Sequence, residues 1–271
     1  MIDFPDRKAR QKHQGRVGIL LAALLITAWL VVHIGTVFFY PLSTGWIGAP
    51  FLVLLLCWLN VGLFIVAHDC MHGSLTPGRP RVNRNLGRLC LMLYAGFSFD
   101  RLLPKHLRHH VHSGTEGDPD FDADHPASFA PWLLKFLREY LGWRELLLLT
   151  AWSSVYQYVL GAALANTLTF WALPAMLSAV QLFYFGTYLP HREDETPFAD
   201  RHRARSSDFS YLMSLATCFH FGYHHEHHAH PALPWWRLPG ARAIKPAGST
   251  APVATHLPVH FDVVLQAHRP G

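Results

Sequence analysis

The chain has 271 residues, 51% of them hydrophobic and only 15% charged, against roughly 25% charged in an average soluble domain, which argues against an ordinary water-soluble enzyme. Its formal net charge of +5 does not mark a nucleic-acid binder, because the cations cluster beside long apolar runs, where anionic lipid headgroups or an acidic electron carrier would meet them. Cys57, Cys70, Cys90 and Cys218 form no CxxC pair, so reduced thiols are expected and no disulfide framework.

Residues 1–16 carry Arg7, Lys8, Arg10, Lys12 and Arg16 and are expected to be a cytoplasmic segment of poor order. Residues 17–68 then contain no Asp, Glu, Lys or Arg in a run of 52, too long for one membrane span of about 20 residues and right for two with a turn. The turn signals, Pro41 to Gly45 and then Gly48 and Pro50, fall in the middle. The run is longer than the apolar core of a signal peptide and lacks a small-residue cleavage site. Residues 69–145 form a charged loop, and residues 146–190 are a second charge-free run of 45, with Asn166 and Pro174 near its centre. That run predicts a second helical hairpin. Residues 191–239 follow as a helical cap, and residues 240–271 as a flexible tail. The two short turns carry no Lys or Arg, while the N-terminus and central loop do, which puts both termini and the loop on the cytoplasmic side. The expected fold is an all-α integral membrane protein: one domain, four transmembrane helices in two hairpins and a cytoplasmic helical cap, in the bacterial inner membrane.

Three histidine clusters fall on that one side: His68 and His72 in HDCMH, His106, His109 and His110 in HLRHH, and His224, His227 and His228 in HHEHH. Residues three or four apart on a helix share a face, so each cluster is expected to aim its imidazoles at one point. Neutral histidine is the commonest metal ligand near neutral pH, and eight such ligands exceed one ion, implying two. His191, at the end of the second hairpin as His68 is at the end of the first, is a ninth candidate. His220, four residues before His224, competes for that role. A zinc-protease motif is absent, since HExxH starting at His225 would need His where Ala229 stands, and HxxEH would need His where Tyr223 stands. Asp69, Asp118, Asp120, Asp208 and Glu226 are candidates for holding the outer ring N–H of a ligand, and Glu226 could instead ligate directly.

The order HxxxH, HxxHH, single His, HxxHH around two membrane hairpins resembles the membrane fatty-acid desaturase and hydroxylase superfamily. Within it, HDCMHGS at 68–74, DPDF at 118–121, FGTYLPHR at 185–192 and PWWRLP at 234–239 resemble the bacterial-type beta-carotene ketolases. That resemblance implies two non-haem iron ions on the nine histidines, O2 as cosubstrate and a carotenoid drawn from the bilayer. It also implies repeated hydroxylation at ring carbon 4 (and 4′) of beta-carotene, with loss of water giving the ketones echinenone and canthaxanthin. The sequence contains no Gly-rich nucleotide fingerprint and no haem motif, so electrons are expected from an outside donor, a ferredoxin by the resemblance. A fatty-acyl desaturase or hydroxylase of the same superfamily would share fold and metal. A membrane metal transporter would place ionisable residues within the spans, where only His33 lies deep. The aromatics Phe183, Tyr184, Phe185 and Tyr188 are candidate substrate walls, though helix packing or interfacial anchoring accounts for most of them.

Overall fold

The computed structural model describes residues 4–243, and all regular structure among them is helical. Helix α1 (Phe4–Ile34) begins well before the apolar run and continues as a π-helical turn to Phe39. Residues 4–16, expected to be poorly ordered, thus belong to this helix. Their Arg, Lys and Gln are good helix formers, and Gln14 ties them down by donating to the Ser74 carbonyl at 2.6 Å. The tail expected from residue 240 lies outside the described residues after Ala243.

Helix α2 (Ala49–Met71) starts on Pro50, which loses no hydrogen bond in a first turn. Its 23 residues span about 34 Å at 1.5 Å per residue. It is the central element, packing on α1, on α3 (Pro80–Ala95) and on α7 (Leu164–His191). Among the described residues, three helices are long and apolar enough to cross a membrane: Arg7–Phe39, 22% buried in its most apolar window, Ala49–Met71, 61%, and Leu164–His191, 28%. The low shares on the outer two reflect apolar side chains turned outward, among them Leu24, Val31, Leu168 and Met176. An outward apolar surface of this kind suits lipid rather than water.

The second predicted hairpin is asymmetric. Its first arm, α6 (Trp143–Ser154), has 12 residues and a π-helical extension of 5, together about 25 Å against a hydrocarbon core of about 30 Å. Gly161, at φ +74°, then reverses the chain into α7. Three helices of spanning length are therefore present among the described residues, where four were expected. Asn166 joins the tips of the two hairpins, donating to the carbonyls of Thr36 at 3.1 Å and Tyr40 at 2.9 Å.

Beyond α2 the chain forms α4 (Phe99–His112) and α5 (Phe129–Tyr140) before α6, and α8 (Tyr211–Cys218), α9 (His224–Ala229) and α10 (Leu238–Ala243) after α7. Two glycines permit the tightest contacts. A Cβ on Gly18 would stand 2.3 Å from the Leu75 carbonyl oxygen, and one on Gly87 2.2 Å from the Phe99 ring. They bring α1 onto the loop after α2, and α3 onto α4. The Pro-Trp-Trp segment folds over the end of α2, where the Trp235 backbone N–H donates to Asp69 at 3.0 Å and Arg237 to Gln14 at 3.2 Å. The four cysteines are buried and free.

Candidate metal centre

Four helix ends meet where α2 terminates. His68 sits on its last turn and His72 caps it. Helix α4 contributes His106, His109 and His110, α7 ends on His191, and α9 contributes His224, His227 and His228. The nine imidazoles fall into two groups, His68, His72, His106, His110 and His227 in one, and His109, His191, His224 and His228 in the other. Within each group one ligand nitrogen per residue lies within 4.8 Å of every other. His110 and His228 stack at 4.2 Å between ring centroids, so the groups adjoin.

The expectation that each cluster aims at one point is corrected here. His106 and His110 serve the first group while His109, between them, serves the second. His224 and His228 serve the second while His227 serves the first. Successive residues turn by about 100°, so i and i+4 diverge by only about 40°, whereas neighbours such as 109 and 110 point well apart. Each i,i+4 pair therefore stays together and the odd histidine crosses over.

Within the first group the Nε2 atoms approach in pairs, His72 to His106 at 2.6 Å, His110 to His227 at 3.0 Å and His68 to His227 at 3.1 Å. In the second, His224 to His228 is 3.0 Å and His109 to His228 is 3.2 Å. Two nitrogens at right angles on a first-row divalent ion, each about 2.0–2.1 Å from it, stand about 3 Å apart. Burial, and then repulsion from neighbouring imidazoles, favours the neutral form of six of these rings. It lowers His72 to about 3 and holds His106, His110, His224, His227 and His228 well below the usual imidazole value. Facing lone pairs at such distances repel unless a cation lies between them. His191 Nε2 is fully buried without a partner, while its Nδ1–H donates to the Arg203 carbonyl at 2.8 Å, which fixes the tautomer with the free lone pair toward the second group. The donor set thus fits two divalent ions of the kind imidazole favours.

His220 does not enter either group. It is buried between aromatic rings, 4.6 Å from Tyr211 by centroid. His225 pairs instead with Asp200 at 2.7 Å.

The carboxylates divide by contact. Asp118 is buried and takes the His109 Nδ1–H at 2.9 Å and 3.0 Å with its two oxygens, and it also accepts the N–H groups of Gly114 and Asp120. Burial opposes ionisation of both partners, yet their attraction and hydrogen bond outweigh it, so His109 is raised and Asp118 lowered. Asp120 lies 3.8 Å from His109 Nδ1 and accepts the Tyr140 hydroxyl. Burial, reinforced by repulsion from Asp118, raises it to about 6. Asp69 stands 3.5 Å from His68 Nδ1. Asp208 and Glu226, by contrast, both engage Arg242, at 2.5 Å and 3.4 Å, and Glu226 also accepts from Ser206. They brace α9 from outside, and among the described residues neither hydrogen-bonds a ring of the two histidine groups.

Sequence reasoning missed the Arg203 carbonyl, Ser113 and Tyr140. Arg203 presents its carbonyl from a left-handed backbone at φ +42°, and Ser113 bridges His191 Nδ1 at 3.3 Å and the His202 carbonyl at 2.6 Å. No spacing pattern marks such contacts.

Comparison with known proteins places this geometry in a family context. The chain matches the fatty acid desaturase family over residues 44–151 and 129–256. It is 50% identical over 225 residues to a beta-carotene ketolase from Paracoccus sp., covering 83% of this chain and 91% of that one. It is 38% identical over 261 residues to the beta-carotene ketolase of Haematococcus lacustris, covering 85% and 80%, and 36% identical over 247 residues to the zeaxanthin 4-ketolase of Chlamydomonas reinhardtii, covering 87% and 55%.

Proposed function

Because this chain belongs to the fatty acid desaturase family, among the relatives of the beta-carotene ketolases, we propose that it is a membrane carotenoid 4-ketolase. The observation that carries the reading is the pair of converging histidine groups at the end of apolar helices. His68, His72, His106, His110 and His227 would hold one iron, and His109, His191, His224 and His228 the other. Two such irons supply the O2 activation needed to take hydrogen from an allylic ring carbon.

Each turnover inserts one oxygen atom of O2 into the C–H bond at ring carbon 4 and releases the other as water, consuming two electrons and two protons. A second insertion at the same carbon gives a geminal diol, which loses water to leave the ketone. Beta-carotene becomes echinenone after one ring and canthaxanthin after both. Electrons come from a separate donor protein, which we infer to be a ferredoxin.

The chain's own residues position and protect. The Asp118 carboxylate keeps the proton on His109 Nδ1 and leaves Nε2 free, and the Arg203 carbonyl does the same for His191. Burial of all four histidines of the second group excludes bulk water from that side. A long apolar substrate concentrates in the bilayer, so holding one ring carbon at the centre is an orientation task for apolar walls. Phe183 and Tyr188 pack with Phe121 and Trp132 in a buried cluster, a structural role, while Tyr184 and Phe185 remain partly open for contact.

We further infer that Trp143–Val159 completes a fourth crossing despite its length, by local thinning of the bilayer or flanking interfacial residues. Both termini, the 69–145 loop and the histidine groups then face the cytoplasm of a bacterial inner membrane, in a single domain. The test is expression in a bacterium that accumulates beta-carotene, with pigment analysis by chromatography and mass spectrometry. Products heavier by one and two carbonyl conversions, absent with His109→Ala, support the reading. Unchanged beta-carotene beside an iron-loaded protein would overturn it in favour of a fatty-acyl substrate.

A further inference from the structure

We propose that a cleft between the first turns of α1 and the loop after His72 binds the phosphate group of an acidic phospholipid headgroup. The cleft encloses about 260 Å³, against about 30 Å³ per water molecule in the liquid. Among the described residues, Lys8, Lys12 and Arg79 line it together with the Gln11 amide, and no carboxylate does. Lys8 and Lys12 are four apart on α1 and so share a face. Among the described residues none of the three cations has an ion-pair partner, whereas Arg84 and Arg88 on the adjacent helix both pair with Asp100 at 2.8 Å and 2.6 Å. Three like charges around one cavity repel, and an anion relieves that repulsion.

The walls are already built. Asn83, buried, accepts from the Thr76 N–H at 3.1 Å and hydroxyl at 2.8 Å and donates to the Thr76 carbonyl at 3.0 Å. That lock fixes the turn through Gly78, which sits at φ +75° and has nothing within 4 Å of where a Cβ would be. On the other wall a Cβ on Gly15 would meet Thr76 at 3.7 Å, so helix and loop stand in contact beside the cavity. The guanidinium offers a planar fork to phosphate oxygens and the ammonium groups offer point charges. Lys8 and Lys12 lie nine and five residues before Val17, where the charge-free run of α1 begins, which puts the cleft at headgroup depth, where basic pockets meet anionic lipid. A bound headgroup would clamp α1 to the segment that leads out of His68 and His72. The inference rests on α1 as a membrane span and not on the ketolase chemistry.

The experiment uses the full chain in lipid nanodiscs of phosphatidylcholine with or without phosphatidylglycerol, with retained lipid counted by native mass spectrometry and thermal unfolding followed in parallel. Wild type is expected to retain phosphatidylglycerol and gain thermal stability. The Lys8→Gln/Lys12→Gln/Arg79→Gln variant should bind it at least about tenfold more weakly, while Arg138→Gln, an exposed charge on α5, behaves as wild type and Arg79→Lys retains most of the binding. Displacement of the lipid by millimolar inorganic phosphate would support recognition through the phosphate itself. Equal retention by the triple variant overturns the proposal, as does protection by inorganic phosphate without retention of phosphatidylglycerol, which would assign the cleft to a soluble anion. Iron content and ketolase turnover in the phosphatidylcholine discs report the proposed function separately, and iron content also reports correct folding of each variant.

Discussion

The two histidine groups are built from the same helices yet differ in enclosure and support. The five-histidine group reaches the surface through His72, His106 and His110, each partly exposed, whereas every member of the four-histidine group is buried. The four-histidine group has Asp118 and the Arg203 carbonyl holding two of its rings. Beside the five-histidine group, among the described residues, Asp69 stands 3.5 Å from His68 and spends an oxygen on the Trp235 backbone N–H at 3.0 Å. An ion with four ligands has more open positions than one with five. A carboxylate behind a ligand raises its basicity and steadies the oxidised metal. By this difference an ion held by the enclosed group would keep more open positions, and one held by the exposed group would exchange more easily.

The largest effects should come from ligand loss. His191→Ala in the four-histidine group and His110→Ala in the five-histidine group are each expected to lower ketone formation by at least about a hundredfold and to reduce iron from two per chain toward one. An unchanged iron content in either variant, measured by elemental analysis, would break the division into two groups.

Next in size, Asp118→Asn keeps the shape and removes the charge behind His109, and a loss of about 10–100-fold in activity or metal affinity is expected. Asp69→Asn should do less, because its contact with His68 is longer. Equal losses for the two would erase the contrast in support.

Exchange kinetics sharpen the contrast in exposure. With a soluble chelator, iron should leave in two phases, the faster from the five-histidine group, and His110→Ala should remove the fast phase. A single phase in the wild-type protein would mean that both ions share one barrier.

Smaller still, Glu226→Gln weakens a brace outside the centre, where the carboxylate meets Ser206 and Arg242. Loss of a charge-assisted bond of this kind costs about 1–3 kcal/mol, so a lower unfolding temperature and a few-fold loss of activity are expected with both irons retained. His220→Gln should leave iron content unchanged, since the ring lies tilted against Tyr211, outside both groups.

How much of this was legible in the sequence differs from element to element. The first hairpin could be read because a charge-free run twice the length of a span, broken by Pro and Gly, has few other solutions in water or lipid. The start of α1 could not, because the contact that anchors residues 4–16, Gln14 to the Ser74 carbonyl, is 60 residues distant in sequence. The short arm Trp143–Val159 was hidden for a similar reason: hydropathy marks where apolar residues lie, while helix length depends on the turns at either end.

For the centre, the i,i+4 spacing by itself determined which histidines gather, because helical periodicity fixes side-chain direction within one helix before any tertiary contact forms. The same periodicity turns His109 away from His106 and His110, and His227 away from His224 and His228. Only the tertiary structure decided which rings of different helices meet: helix orientation brought His109 to His191, His224 and His228, chose His191 over His220, and brought Asp118 rather than Asp208 or Glu226 to a ligand ring. Those outcomes depend on the angles and distances between helices, which packing sets and local spacing does not encode.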